Sequence, residues 1–202
     1  MAFTFFFRDL GPLEMAVKMM IPTTSVRSRV RIWDAGCAMG PEPYSLAILL
    51  AENMGMFAFR NVQIFATDMD APLLKTLEEA VYPWVELERV PTDIFHKYFE
   101  PSGREGYFRI VEKIRKVVTT QQHDLLSLQP LRDNFSLIVC KNVLLHFQYS
   151  ERIEVYKMFH KALDPGGLMV NEHTQKLPSE VSHLFTQVAS DSQLFCKVET
   201  KP

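Results

Sequence analysis

The stretch that most constrains this chain runs from Val30 to Tyr44 and reads VRIWDAGCAMGPEPY. Val30, Ile32 and Trp33 have the β-branched and aromatic content of a buried strand. Asp34-Ala35-Gly36-Cys37-Ala38-Met39-Gly40 follows. Two glycines four apart allow a tight turn and close approach of backbone to a ligand. Pro41 and Pro43 suit the first turn of a helix, where a missing N–H is no loss, and Leu46 to Met54 reads as that helix. Strand, glycine turn and helix open a nucleotide-binding α/β fold. The spacing is G-x-x-x-G rather than G-x-G-x-x-G, and no lysine follows Gly40. Neither a dinucleotide fingerprint nor a phosphate-cradling loop is therefore present. A ligand without phosphate, such as S-adenosylmethionine, suits the turn; a plain strand-to-helix turn is the alternative.

Further along, Val62 to Thr67 (VQIFAT) is a second strand, ending in Asp68-Met69-Asp70. An acidic residue at this point is where such folds hold ribose hydroxyls, because a carboxylate can accept from both. Asp68 is read as that residue, and Asp70, just before Ala71-Pro72, as the cap of the next helix, Leu73 to Ala80. Gly55 closes the preceding helix. Upstream, Gly11-Pro12 punctuates, Leu13 to Met20 forms a short helix, and Ile21 to Arg29 is a polar loop. Lys116 to Thr120 is a third strand and Phe135 to Cys140 (FSLIVC) a fourth. A helix over Glu151 to Leu163 stops at Asp164-Pro165-Gly166-Gly167, and Leu168 to Asn171 is a fifth strand. Leu184 to Val188 and Leu194 to Val198 flank Ala189-Ser190-Asp191-Ser192 as a closing antiparallel hairpin. The alternation predicts an α/β fold, a mostly parallel sheet with helices on both faces. Gly36, Asp68, Asp124 and Asn142 each follow a strand, so they converge on one rim, where such sheets bind ligands.

The 202 residues are expected to form a single domain over 1–202, with a small inserted subdomain over 82–111 that breaks the strand-helix rhythm. Inserted segments of this kind often carry substrate recognition. Arg104, Arg109, Lys113, Arg115 and Lys116 make this part basic, as a solvated face or as a surface for an acidic partner. A net charge of −2 argues against bulk nucleic-acid binding. No apolar run is long enough for a membrane span, and Met1 to Phe7 has no basic residue before its apolar part, unlike a signal peptide. Three cysteines (Cys37, Cys140, Cys196), none in a C-x-x-C, fit buried thiols in a cytoplasmic setting. The histidines at 96, 123, 146, 160, 173 and 183 lack metal-ligand spacing, so no metal is expected.

With these residues laid out, the chain resembles the CheR family of S-adenosylmethionine-dependent protein-glutamate O-methyltransferases, from Thr4 to about Val198. FTFFFRD is similar to the family's T-x-F-F-R segment and DAGCAMGPEPYSLA to its A-A-x-S-x-G-E-E-P-Y-S-x-A turn. IFATDMD resembles its second-strand end, LIVCKNVLLHF its I-F-C-R-N-V-M-I-Y-F, and LDPGGLM its L-K-P-G-G-x-L. The family's helical N-terminal domain is expected to be lacking, since Met1 stands two residues before this match. His146 replaces a family tyrosine, and Pro41 the first glutamate of E-E-P-Y-S.

The resemblance implies a Rossmann-like class I methyltransferase fold. It also implies a cofactor site of Thr4, Arg8, Ala35, Gly36, Glu42, Asp68, Met69, Asp124, Leu125, Lys141 and Asn142. Asp68 would hold the ribose, Glu42 would face the methionine end, and Asp124 and Leu125 would flank the adenine. Arg8 and His146 would be the catalytic residues, Arg8 placing the substrate carboxylate near the methyl. His146 is alternatively a packed core histidine, and Arg8 alone would pass for a surface cation. The implied cofactor is S-adenosylmethionine, with S-adenosylhomocysteine as product. The implied partner is the cytoplasmic region of a chemotaxis receptor, with no nucleic acid, no membrane insertion and a monomeric enzyme. The alternatives are a related methyltransferase with another substrate and a non-catalytic module binding the cofactor or its product.

Overall fold

A computed structural model describes residues 4–24, 26–172, 176–190 and 192–199. Met1 to Phe3, His173 and Asp191, which figure in the sequence reading, lie outside the described residues. The sheet is built outward from β1 (Val30–Ala35), which pairs in parallel with β2 (Val62–Asp68) on one side and β7 (Phe135–Cys140) on the other. β6 (Val118–Gln122) lies beyond β2, and β8 (Leu163–Asn171) beyond β7, both parallel. β10 (Leu194–Lys197) runs antiparallel to β8, and β9 (Phe185–Gln187) antiparallel to β10. The order β6-β2-β1-β7-β8-β10-β9 puts the change of winding direction between β1 and β7. Ligands of open α/β sheets bind outside the carboxyl ends of the strands at such a point.

Alternation along the central strands feeds two cores. Val30, Ile32, Leu137 and Val139 face one side, under α1 (Leu10–Thr24), α2 (Pro41–Phe59) and α3 (Ala71–Glu79). Trp33, Ala35, Ile138 and Cys140 face the other, under α7 (Tyr149–Ala162). A capping box starts α7: the Gln148 N–H donates to Glu151 Oε2 at 2.8 Å. Between α3 and β6 stands a three-stranded antiparallel sheet. It comprises β3 (Val81–Pro83), β4 (Phe99–Pro101) and β5 (Tyr107–Ile110), in the order β3-β5-β4. The short helices α4 (Trp84–Leu87) and α5 (Thr92–Tyr98) lie within it, and α6 (Glu112–Arg115) follows.

Several boundaries differ from the sequence expectations. Gly11 and Pro12 lie in the first turn of α1 instead of preceding it, because proline fits there. The helix also continues through Thr24, taking in part of the expected loop. α2 begins at Pro41, and Gly55 (φ 73°) interrupts it, with helix resuming to Phe59. The third strand starts at Val118, because the N–H groups of Lys116 and Val117 still donate back to Glu112 and Ile114 at the end of α6. Asp70 caps α3 through its backbone only, its carbonyl accepting from Leu73 and Leu74, and its side chain makes no capping bond. Cys37 and Cys140 are buried as expected, but Cys196 is half-exposed because β10 lies near the sheet edge.

Phe6 is buried and fixes the N-terminal segment. Its ring meets Tyr82 edge-on at 4.9 Å and Phe99 at 5.5 Å. Phe6→Ala is expected to cost about 3–5 kcal/mol of unfolding free energy in urea titrations, as large aromatic truncations in cores do.

Candidate functional site

At the carboxyl rim of the large sheet lies a pocket of about 550 Å³, within the usual size range of small-molecule sites. Its walls come from loops far apart in sequence: the segment before α1, the glycine turn, and the ends of β2, β6 and β7. Of the residues singled out from sequence, Thr4, Arg8, Gly36, Glu42, Asp68, Met69, Asp124, Leu125, Lys141, Asn142 and His146 all line it. Ala35 does not: it ends β1 with its side chain in the second core.

The glycine turn is held against β2, with the N–H groups of Gly36 and Cys37 donating to the Thr67 carbonyl at 2.7 and 2.9 Å. Gly36 has φ 94°, and a Cβ there would collide with Val143. Only glycine therefore lets the turns after β1 and β7 touch. Gly40 (φ 108°) is equally required, because Tyr82 and Leu77 occupy the space of its Cβ. The Tyr82 hydroxyl donates to the Met39 carbonyl at 2.8 Å, tying the small sheet to the turn.

Asp68 is positioned by backbone on both oxygens. Oδ2 accepts from the Ala38 N–H and Oδ1 from the Asp70 N–H, each at 3.0 Å. An ionised carboxylate has about four acceptor sites, so both oxygens can still accept from a vicinal diol. Asp124 caps a single turn, accepting from the Leu126 N–H at 2.9 Å, with Leu125 buried behind it. Met69 is exposed at the rim.

The floor is electrostatic. Lys141, 2% exposed, pairs with Glu42, 14% exposed, at 2.7 Å. The same ammonium donates to the Arg8 carbonyl at 3.1 Å. Removing one partner from a buried pair typically costs about 3–5 kcal/mol, so this contact fixes three segments together. Arg8 sits between two residues with left-handed backbone, Phe7 (φ 60°) and Asp9 (φ 48°). Its guanidinium is 3.4 Å from the Asp9 carboxylate. Asn142 is also left-handed (φ 58°), and its N–H donates to Glu172 Oε2 at 3.0 Å. Glu172 is buried, and that burial pushes its carboxyl above the usual range. His146 is exposed at the rim, so the packed-core alternative for it is ruled out.

Sequence reasoning missed Cys37, Ala38, His123, Val143, Leu145 and Phe147, which complete the lining. It also missed Asp34, read as part of the turn. Asp34 belongs to β1 and is fully buried, and neither carboxyl oxygen has a hydrogen-bond partner. The signal was present: an aspartate within an otherwise apolar strand. Burial pushes its carboxyl well above the usual carboxylate range. Glu42 adds to the rise, Lys141 opposes it and Asp68 adds a smaller push.

A mostly parallel sheet wound in this order, with a glycine turn after its first strand and a carboxylate ending its second, is a Rossmann-like fold with a nucleoside site at its rim. The residues fit S-adenosylmethionine: the volume suffices, Gly36 gives close backbone approach, and Asp68 offers free acceptor sites. The chain belongs to the family described as CheR methyltransferase, SAM binding domain, whose model matches residues 2–194. It is 28% identical to a probable chemotaxis protein methyltransferase of Rhizobium etli, covering 92% of this chain and 72% of that protein. It is 31% identical to a chemotaxis protein methyltransferase of Listeria monocytogenes, covering 81% of this chain and 61% of that one. The chain thus spans roughly two thirds of the length of these relatives. Among solved structures it is similar to the glycopeptide N-methyltransferase MtfA complexed with sinefungin (TM-score 0.46, 15% identity, 83% of this chain and 53% of that one). Among the described residues no helix is long and apolar enough to cross a membrane.

A carboxyl whose folded value is raised contributes stability in full below its unfolded value, about 3.9, and loses it as pH rises through the folded value. Ionisation of Asp34 therefore destabilises the fold, with a slope of at most about 1.4 kcal/mol per pH unit. Asp34→Asn should melt above the parent at pH 7–8, with the gap closing toward pH 4 in thermal scans.

Proposed function

We propose that this chain transfers a methyl group from S-adenosylmethionine to glutamate side chains in the cytoplasmic region of a chemotaxis receptor. The observation that supports it best is the gathering of eleven resemblance-derived residues around one pocket. When bound, the cofactor supplies an electrophilic methyl on a sulfonium. Asp68 binds the ribose hydroxyls, Asp124 and Leu125 border the adenine, and Glu42 lies toward the methionine end, kept in place by Lys141.

The acceptor needs no general base. A glutamate side chain has a reference pKa of about 4.3 and is ionised at neutral pH. Arg8 orients that carboxylate with its fork of donors, and His146, at the rim, donates a further hydrogen bond. Catalysis is then mainly orientation, which can contribute roughly 7–11 kcal/mol when the reacting atoms are well aligned. The arginine must position without over-stabilising the ground state, since only interactions stronger in the transition state raise the rate. The inserted subdomain of this reading, 82–111, carries the small sheet and contacts the receptor. The setting is the cytoplasm and the working unit a monomer.

The decisive experiment incubates the protein with methyl-labelled S-adenosylmethionine and receptor cytoplasmic fragments. Label that is released by mild base is expected on glutamates. Clear cofactor binding without any transfer to such fragments would overturn the receptor substrate.

Asp68→Ala should weaken S-adenosylmethionine binding by about tenfold or more in calorimetry. This is the loss expected when charge-assisted bonds worth about 1.5–3 kcal/mol each are removed.

A further inference from the structure

Arg89 has no place in the chemistry above, yet it stands close to a residue that does. It lies in the turn after α4, within the inserted subdomain. Leu87 and Val90 are buried on either side of this turn, and the Val90 N–H donates to the Leu87 carbonyl at 2.9 Å. The exposed Arg89 side chain therefore sets out from a fixed point. Its guanidinium lies over the Phe5 ring, 4.9 Å from the centroid. The Arg8 guanidinium lies over the same ring at 5.8 Å. Both distances fall within the reach at which an aromatic ring attracts a cation. Thr4, next to Phe5, and Arg8 both line the pocket, so the ring and its two cations stand at the pocket's edge. Arg8 has the Asp9 carboxylate beside it at 3.4 Å. Arg89 forms no ion pair among the described residues, although Glu86 and Glu88 are its neighbours in sequence. A chain of net charge −2 thus gathers two guanidiniums at one edge of its pocket. Like charges held this close repel, and an incoming anion relieves that repulsion.

We propose that Arg89 is a specificity-determining residue that reads a second acidic side chain of the methyl-accepting protein, beside the glutamate that Arg8 orients. The inference rests on the reading of this chain as a protein-glutamate methyltransferase. In that reaction an oxygen of the accepting carboxylate forms a bond to the methyl carbon. The carbon–sulfur bond breaks, its electron pair stays on sulfur, and no proton moves. The accepting carboxylate becomes a neutral ester, whereas an acidic neighbour keeps its charge throughout. Arg8 therefore meets a charge that fades along the reaction, and Arg89 meets one that is the same in substrate, transition state and product. An interaction of the second kind lowers KM and leaves kcat alone. The substrate class is an acidic segment that offers two carboxylates to the two arginines. A lone glutamate among neutral residues satisfies only one of them. Because Arg89 is exposed, its ion pair is partly screened by solvent, and the preference it confers is modest.

The test maps the glutamates that the parent protein labels on a receptor cytoplasmic fragment, then compares two versions of that fragment. In one the acidic residues flanking a labelled glutamate are kept, and in the other they are replaced by glutamine. The parent should show a KM about three- to fivefold lower for the acidic version, the size expected of one exposed ion pair, with kcat little changed. Added salt should shrink that difference. In Arg89→Gln the difference should vanish, and Arg89→Lys should keep part of it. In Arg89→Glu the preference should turn toward a third version whose flanking residues are lysine. Melting curves establish that each variant folds, and the parent comparison needs no variant. Equal KM values in the parent, or a difference that survives in Arg89→Gln, overturn the role of Arg89 while leaving the methyltransferase reading standing. So does weaker S-adenosylmethionine binding by Arg89→Gln with both versions impaired alike, which is the mark of a brace for Phe5. Absence of transfer by the parent to any fragment overturns the receptor substrate and this inference with it.

Discussion

One buried ammonium holds the working rim together. Lys141 enters from the end of β7, and its two partners come from the first turn of α2 and from the segment before α1. Such a charge is a poor source of net stability, because desolvation offsets much of the attraction. What it supplies is geometry. Glu42 and the backbone at Arg8 take up one arrangement, since any other leaves a charge unpaired in a dry interior. The N-terminal segment is further fixed by Phe6 in the core and by the Phe7 N–H donating to Ser45 Oγ at 2.8 Å. Three successive residues are thus held, Phe6 by its ring and Phe7 and Arg8 through their backbone, which fixes where the Arg8 side chain sets out from.

The second constraint is contact between two turns. The chain after β1 and the chain after β7 touch at Gly36 and Val143, and each is anchored behind, through Thr67 of β2 and through Glu172 just past the end of β8. The pocket forms where the sheet changes winding direction, and it persists because these anchors hold the two turns in register. Asp68 belongs to the same frame, with each oxygen bonded to a backbone N–H before any ligand arrives. Preorganisation of this kind reduces what must be ordered on binding.

Much of this was legible in the sequence. VRIW, VQIFAT and FSLIVC are dense apolar runs because strands buried on both faces read that way, and the rim residues follow from where those strands end. The extent of α1 was not legible, because Gly-Pro reads as punctuation although proline is at ease in a first turn. Of the small sheet, Tyr107 to Val111 reads as a strand and is β5, whereas β3 and β4 span three residues each, too few for a period of two to register. The Lys141–Glu42 pair joins residues about a hundred positions apart, and no local pattern encodes a partner at that distance. The burial of Asp34 was hidden for another reason. Next to a glycine turn an aspartate looks like turn chemistry, and only the parallel strands on both sides show that it lies within the sheet.

The left-handed residues around the pocket limit how this chain can drift. Phe7, Asp9, Ala38 and Asn142 all have positive φ without being glycine. Such backbone is costly for most side chains, least so for asparagine and aspartate, and prohibitive for β-branched ones. Neutral exchange at these four places is therefore confined to a narrow alphabet. The same residues that shape the pocket also restrict the routes by which a descendant of this protein could acquire a different one.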